Sequence, residues 1–320
     1  MIQKALAIDI GGTKIYYTII DENGKICAEI EKHSTPKSIA EFEELLKNIF
    51  SKHENEIDVI AIATAGAVNN ENTKVISSTA NLVEGYNAID FQSFTTKKVF
   101  IENDANAAAW AEHILGASKN CPYSVMLTLG TGVGGGIILN NKLYKGKSGA
   151  AGEMHFKMYP DKRRKCTCGA WDCFEAYASG GGLKITAEEM LNDKTITTYD
   201  VINGVKNDYP KMKQVFDKWQ NDILAGIMGL ANIFDPDCFV FSGSMAEFID
   251  TEFLEKEVNA EIVTAPVRVY KATAGNYAGM IGVSLLALKQ FDANATPHPN
   301  HLSKTILNRF FGRVPQGGRE

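Results

Sequence analysis

A chain of 320 residues, 45% of them hydrophobic, is long enough to bury two cores and predicts two domains. Its formal charge of −5 is mild and spread along the sequence, which excludes a nucleic-acid scaffold and a membrane-surface protein. No basic leader precedes the first apolar stretch and no run of 18 apolar residues occurs, so a cytoplasmic protein with neither nucleic acid nor membrane as partner is expected.

The segment Ala5 to Tyr17, ALAIDIGGTKIYY, reads as an apolar strand, a polar glycine-rich turn and a second strand. Strands near 5–10, 15–20 and 26–30, with Glu22-Asn23-Gly24 as a turn, make a meander. Ser38 and Glu41 have capping-box spacing, and Ile39, Phe42, Leu45, Leu46, Ile49 and Phe50 fall on one helical face. The run 58–63 predicts a buried parallel strand that empties into Thr64-Ala65-Gly66-Ala67, a small-residue loop at a strand end, where open α/β sheets bind ligands. Residues 77–87 form a polar loop centred on Asn81.

A strand over 98–101 runs into Glu102-Asn103-Asp104-Ala105-Asn106 and an alanine-rich helix from Ala105 to about Leu115. Asp104 has two compatible readings: the N-cap of that helix, and a base that takes a proton from an attacking hydroxyl. Ser124 to Gly146 then repeats the opening plan, with an apolar strand, a glycine-rich turn and another apolar strand. Gly130, Gly132 and Gly135 satisfy the spacing G-x-G-x-x-G, but β-favouring Ile137, Ile138 and Leu139 follow where a dinucleotide site needs a helix. The turn is therefore either a phosphate cradle, with Thr128 and Thr131 as extra donors, or a hairpin without a ligand. Two such hairpins, the first also carrying Asp9 and Lys14, predict two related halves. They point to an α/β, actin-like (ribonuclease-H-like) ATPase fold of two α/β domains with a cleft between them.

Three of six cysteines cluster at Cys166, Cys168 and Cys173, a spacing that in a reducing compartment suggests metal more than disulfide. Residues 182–291 are mostly helical in pattern, with an amphipathic run over 211–234 ending at Asp235-Pro236. A strand over 238–242 delivers Ser242-Gly243-Ser244, and a late helix near 276–289 carries small residues on one side for close packing. The tail from about Ala293, rich in Pro, Gly and charge, is expected to be poorly ordered.

DIGGTK at Asp9 to Lys14, ENDANAAA at Glu102 to Ala109, LGTGVGGGI at Leu129 to Ile137, GAAGE at Gly149 to Glu153 and CTCGAWDCFEAYASG at Cys166 to Gly180 together resemble the ROK family of sugar kinases, over roughly residues 5–285. The resemblance implies phosphoryl transfer from ATP to the 6-hydroxyl of a hexose or N-acetylhexosamine, with Asp104 as catalytic base. It implies Asp9 as the Mg²⁺-linked aspartate, Gly11, Gly12, Thr13 and Lys14 as the first phosphate turn, and Thr131, Gly132, Val133, Gly134 and Gly135 as the second. Gly66, Asn81, Asn103, Asp104, Glu153, His155 and Glu175 match sugar-binding positions, which suits the pairing of amides and carboxylates with hydroxyls. Gly243 matches a position near the adenosine.

His155, Cys166, Cys168 and Cys173 resemble the family's structural Zn²⁺ site, a sound tetrahedral donor set. His155 lies one residue nearer to Glu153 than the family pattern, and Asp172 stands where a glycine is customary; the alternative is a zinc-free loop of reduced thiols. The implied domains are 1–117, holding the first phosphate turn and Asp104, and 118–290, holding the second turn, the cysteine loop and the adenosine site, with 291–320 as a tail of unassigned role. AAAWAE at Ala107 to Glu112 and IATAG at Ile62 to Gly66 are more similar to N-acetylmannosamine kinases than to glucokinases, which implies N-acetylmannosamine as the substrate. The family resemblance further implies a homodimer. Relatives that are sugar-responsive repressors carry a DNA-binding domain ahead of the first motif, and only eight residues precede Asp9 here, so catalysis is expected.

Overall fold

The computed structural model describes residues 2–78 and 82–295, without the side chains of 293–295. The chain enters with β1 (Lys4–Ile10) and β2 (Lys14–Asp21), a hairpin whose apolar residues are nearly all buried. β3 (Glu31–Ser34), α1 (Ile39–His53) and β4 (Val59–Thr64) follow. Ser38 caps α1 by accepting the Glu41 amide at 3.3 Å. β5 (Ala67–Val68) and β6 (Val75–Ser77) form a small hairpin before β7 (Lys98–Asn103) and α2 (Asp104–Leu115). The strand order is β3-β2-β1-β4-β7, with β1 antiparallel to β2 and parallel to β4, and β4 parallel to β7.

The second half begins with β8 (Ser124–Leu129), β9 (Val133–Leu139) and β10 (Lys142–Leu143). A long loop leads to α3 (Glu175–Ala178), α4 (Gly180–Leu191), α5 (Thr198–Lys206) and α6 (Pro210–Phe234). β11 (Cys238–Ser242), α7 (Thr251–Glu261), β12 (Arg268–Lys271) and α8 (Ala278–Ala295) complete the described chain. Its sheet, β10-β9-β8-β11-β12, reproduces the first strand for strand, with β8 antiparallel to β9, and β11 parallel to both β8 and β12. The two related halves expected from the repeated hairpin are therefore visible as one topology used twice.

Each sheet has its own core. Leu6, Ile8, Ile10, Phe42, Leu46 and Tyr86 fill the first, while Val125, Leu127, Phe174, Trp219, Ile223 and Phe239 fill the second. Burial of such a side chain is worth about 1.5–3 kcal/mol, so each half has enough apolar contact to hold its own sheet in place. α8 then crosses back to pack on α2, β1 and β4, with Gly282 against the Ala107 carbonyl. No helix among the described residues is long and apolar enough to cross a membrane.

The third strand departs from expectation. It lies at Glu31–Ser34, and the 26–30 stretch contributes only an isolated bridge from Ile20 to Ile26. The apolar residues of 26–30 were the misleading signal: the paired strand is a polar edge, held in register by pairing of Lys14 with Ser34 and by the Thr35 amide donating to the Thr13 carbonyl. Asn81 and residues 296–320, which contain most of the tail, lie outside the described residues.

Candidate active site between the two halves

The parallel strands of both sheets end toward a cavity of about 600 Å³, lined from the first half by Asp9, Asp104 and Ala105 and from the second by Thr128, Gly243, Ser244, Glu247 and Lys271. Asn276 and Gly279, at the entry to α8, close one side. Asp9 is the penultimate residue of β1 and Asp104 the first residue of α2, so both carboxylates project from strand ends. Burial, reinforced by the Asp104 charge, pushes Asp9 up to about 7. Burial pushes Asp104 up to about 6, with the charge of Glu153 adding to it and the amide of Ala105, donating at 2.8 Å, opposing it. Asp104 nevertheless keeps open access to the cleft.

The cap of α2 is Asn103, not Asp104. Its Oδ1 accepts the Asn106 amide at 3.0 Å, and its Nδ2 donates to the Gly66 carbonyl at 3.0 Å. Asp104 is thereby free of the capping role. Asn103 and Gly66, both expected at the sugar, hold one another at the strand ends, each with hydrogen-bonding capacity left over.

The first hairpin turn is closed by the Gly11 amide donating to the Lys14 carbonyl at 3.0 Å and braced by the Thr35 hydroxyl donating to the Gly11 carbonyl at 2.6 Å. Gly12 and Thr13 sit at its tip, and Lys14 opens β2 with its side chain exposed. The second turn is shorter than expected. It spans Gly130 to Gly132, with Thr131 at its tip, closed by the Gly130 amide on the Gly132 carbonyl at 3.0 Å. Val133, Gly134 and Gly135 belong to β9, paired with Leu129, Thr128 and Leu127. The Val133 amide donates to Glu175 at 3.0 Å and the Gly134 amide to the Thr128 hydroxyl at 3.1 Å, so neither is free for a phosphate. The strand glycines serve packing instead: a Cβ on Gly136 would stand 2.5 Å from the Ala109 Cβ, and one on Gly134 would stand 3.2 Å from the Ala105 Cβ, both on α2. Gly243 is different, because its φ of +87° and the Leu129 carbonyl beside it admit only glycine where β11 turns into the cavity.

The cysteine loop converges. One ligand atom from each of His155, Cys166, Cys168 and Cys173 lies within 4.8 Å of the others. The Sγ atoms of Cys168 and Cys173 are 3.6 Å apart, and Cys166 Sγ is 3.8 Å from His155 Nδ1. Ligands of a tetrahedral Zn²⁺ stand roughly 3.5–3.8 Å from one another, so the donor set fits that ion despite the shortened Glu153–His155 spacing. Burial pushes the Cys166 thiol up to about 12, so a cation is what would make it a thiolate. Nε2 of His155 lies 3.7 Å from Glu153.

Asp172 explains its own departure from glycine. Its φ is +60°, a left-handed conformation that aspartate tolerates better than most residues. Its buried carboxylate accepts the Arg164 amide at 2.9 Å and the Tyr177 hydroxyl at 2.6 Å. Arg164, also buried, pairs with Glu189 at 2.5 Å and lies 4.4 Å over the Tyr177 ring, fastening the loop to α3 and α4. Glu175, 8% exposed, accepts from the Thr167 hydroxyl and the Val133 amide. It thus ties the cysteine loop to the second hairpin, and in this conformation its carboxylate is engaged by protein.

Sequence reasoning missed Thr35, Glu102, Asn106, Lys145 and Arg164. Glu102 carried a signal, a charge directly after the apolar run Val99–Ile101. The others are polar residues whose partners only the tertiary fold brings to them.

A duplicated α/β sheet with hairpin turns on both sides of a cleft and two facing acids defines the actin-like ATPase fold. Within that class the chain belongs to the ROK family, whose sequence model matches residues 5–290. It is similar to a glucokinase of Streptomyces coelicolor, 31% identical over 88% of this chain and 96% of the relative. It is also similar to an N-acetylmannosamine kinase of Haemophilus influenzae, 32% identical over 58% of this chain and 63% of the relative. The crystal structure of a ROK family glucokinase from Streptomyces griseus in complex with glucose and AMPPNP matches with a TM-score of 0.73 at 27% identity, covering 90% of this chain and 100% of that one.

Proposed function

We propose that this ATP-dependent sugar kinase transfers the γ-phosphoryl group to the 6-hydroxyl of an N-acetylhexosamine, N-acetylmannosamine in the first place. The observation that carries the chemistry is the pair Asp9 and Asp104, held in one cavity that both halves line. Phosphoryl transfer asks the protein for positioning and electrostatics, and the pair divides those tasks. Asp104 stands at the start of α2 with its own cap supplied by Asn103, open to the cleft and raised toward neutrality, as suits a base that takes the hydroxyl proton. Asp9, a hard oxygen donor, would hold Mg²⁺ through water, and that ion supplies charge neutralisation for the phosphates. The amides at the two hairpin tips, of Gly12 and Thr13 in one and of Thr131 and Gly132 in the other, orient the phosphate oxygens, while Gly243 and Ser244 face the nucleoside end. Glu153 and His155 present hydrogen-bonding groups to the sugar from across the cleft. Zinc held by His155, Cys166, Cys168 and Cys173 would be structural, because four protein ligands leave no open position.

The relative from Haemophilus influenzae supports N-acetylmannosamine, and the longer match to a glucokinase supports glucose as the second reading. Trp110 of AAAWAE does not discriminate between them, since it is 3% exposed and packs against Ile138 and Leu285, in the core. A coupled assay with glucose, mannose, N-acetylglucosamine, N-acetylmannosamine and allose tests the choice. Turnover with N-acetylmannosamine is expected; a tenfold higher kcat/KM with glucose, about 1.4 kcal/mol in transition-state binding, would reverse the order.

A further inference from the structure

Directly before Asn103 and Asp104 stands Glu102, a carboxylate 1% exposed in the last turnings of β7. Burying a charge there requires partners on every side, and they are present. One oxygen accepts the Asn103 amide at 2.9 Å and Asn106 Nδ2 at 3.2 Å; the other accepts Asn72 Nδ2 at 2.7 Å and Lys145 Nζ at 2.9 Å. Three of these donors come from the first half of the molecule, and Lys145 comes from the second.

Lys145 is the first residue of the segment 145–155 that presents Glu153 and His155. Its Nζ also donates to the Asn69 carbonyl at 2.8 Å, and its carbonyl accepts the Ala151 amide at 3.1 Å, folding the segment back on itself. Asn70 Nδ2 adds bonds to the Gly146 and Lys147 carbonyls at 3.1 and 2.9 Å. Asn106, one turn into α2 and 2% exposed, has an Oδ1 with no partner among the described residues, 3.8 Å from where a Cβ on Gly152 would stand. The side chain of the first turn of α2 thus lies beside the opposing segment one residue before Glu153.

We infer that Glu102 is a positioning residue which, through Lys145 and Asn106, sets the Asp104 carboxylate in register with the segment carrying Glu153 and His155. Its one carboxylate binds the amide that precedes Asp104, the side chain of the first helical turn and the ammonium that anchors the opposing segment. Base and proposed sugar-holding groups come from different halves, and this link joins them. The inference rests on the reading of Asp104 as the base, and its test keeps the two apart.

The test measures kcat and both KM values for Lys145→Met, alone and combined with Asp104→Asn. Removing the ammonium from otherwise native enzyme is expected to lower kcat at least tenfold and raise the sugar KM, with the ATP KM within twofold. In the Asp104→Asn background the same change should lower kcat less than twofold, because residues that act as a unit are not additive. Equal losses in the two backgrounds, or an unchanged kcat in folded Lys145→Met, would overturn the link and leave Asp104 as base. Asp104→Asn with native kcat would retire both readings together. Should Lys145→Met fail to fold in a thermal melt, the near-isosteric Glu102→Gln takes its place in the same comparison with the same criteria.

Discussion

Asp104 and Asn103 stand side by side at the start of α2, where either type of residue could cap the helix but only the carboxylate could take a proton. Because Asn103 makes the capping bond, Asp104→Asn should leave folding intact, whereas Asn103→Ala should cost about 1 kcal/mol through the lost cap. The amide in Asp104→Asn cannot accept the sugar's proton, so kcat should fall roughly 10² to 10⁴-fold while sugar affinity changes far less. A folded variant with near-native kcat would remove Asp104 from the mechanism. The same carboxylate predicts a pH profile. Its pKa is raised from an ordinary 3.8 to about 6, mainly by burial, so the protonated form persists well above the usual range and the base is recovered only as pH rises through about 6. The stability contribution runs the other way: a raised carboxylate favours the fold below its unfolded pKa, and that contribution is lost as pH rises through the folded one. An acid limb in kcat/KM near pH 6, absent from Asp104→Asn, is expected alongside a fold that is no less stable at pH 5 than at pH 7 on account of this group. A profile flat from pH 5 to 8 would count against it.

Among the elements, the strands and helices that carry an apolar period were legible from sequence. β4, β11 and α6 lie within a residue of where apolar runs and helical amphipathicity put them. What misled was polarity at an edge, in β3, and glycine in β9, where Gly134 and Gly135 look like a phosphate loop until α2 is seen pressing on Gly134 and the Gly152–Met154 segment on Gly135. Close approach between elements distant in sequence leaves no local trace beyond the glycine itself. Of the candidate site, the meeting of Asp9 and Asp104 in one cavity and the convergence of the cysteine set were readable, but the cap on α2 was assigned one residue late, and the Arg164–Asp172–Tyr177 fastening was invisible because it exists only once the loop has folded. That fastening gives the cysteine loop support of its own, which shapes the expected response to metal removal. Elemental analysis of protein prepared without chelators should give one zinc per chain, and Cys173→Ala should lose it. Zinc release by chelation should raise the sugar KM more than the ATP KM, since the proposed sugar contacts His155 and Glu153 lie in or beside the cysteine–histidine set. Active enzyme with substoichiometric zinc would show that the loop holds without the ion.

At the scale of the whole molecule, the two sheets are joined along one side and open along the other. α8 returns from the second half to pack on α2, and the fully buried Glu112 on α2 accepts the amides of Thr273 and Ala274 at 2.9 and 2.7 Å, pinning the crossover where it enters the first half. Across the cleft the two halves face one another over a cavity of about 600 Å³, and in the proposed reaction both hairpin turns reach one triphosphate. A chain so joined responds to a ligand spanning the gap by swinging one half toward the other about the α2–α8 contact, rather than by refolding either sheet, because each sheet has its own packed core. Sugar and nucleotide together should therefore shut the cleft, and water that competes with the 6-hydroxyl for the phosphoryl group would be expelled. Small-angle scattering of the free protein and of protein with N-acetylmannosamine and a non-hydrolysable ATP analogue measures this directly. A smaller radius of gyration is expected in the ternary complex, with sugar alone giving part of the change. An identical radius in all states would mean that the open cavity already is the catalytic geometry, and the exclusion of water would then need another source.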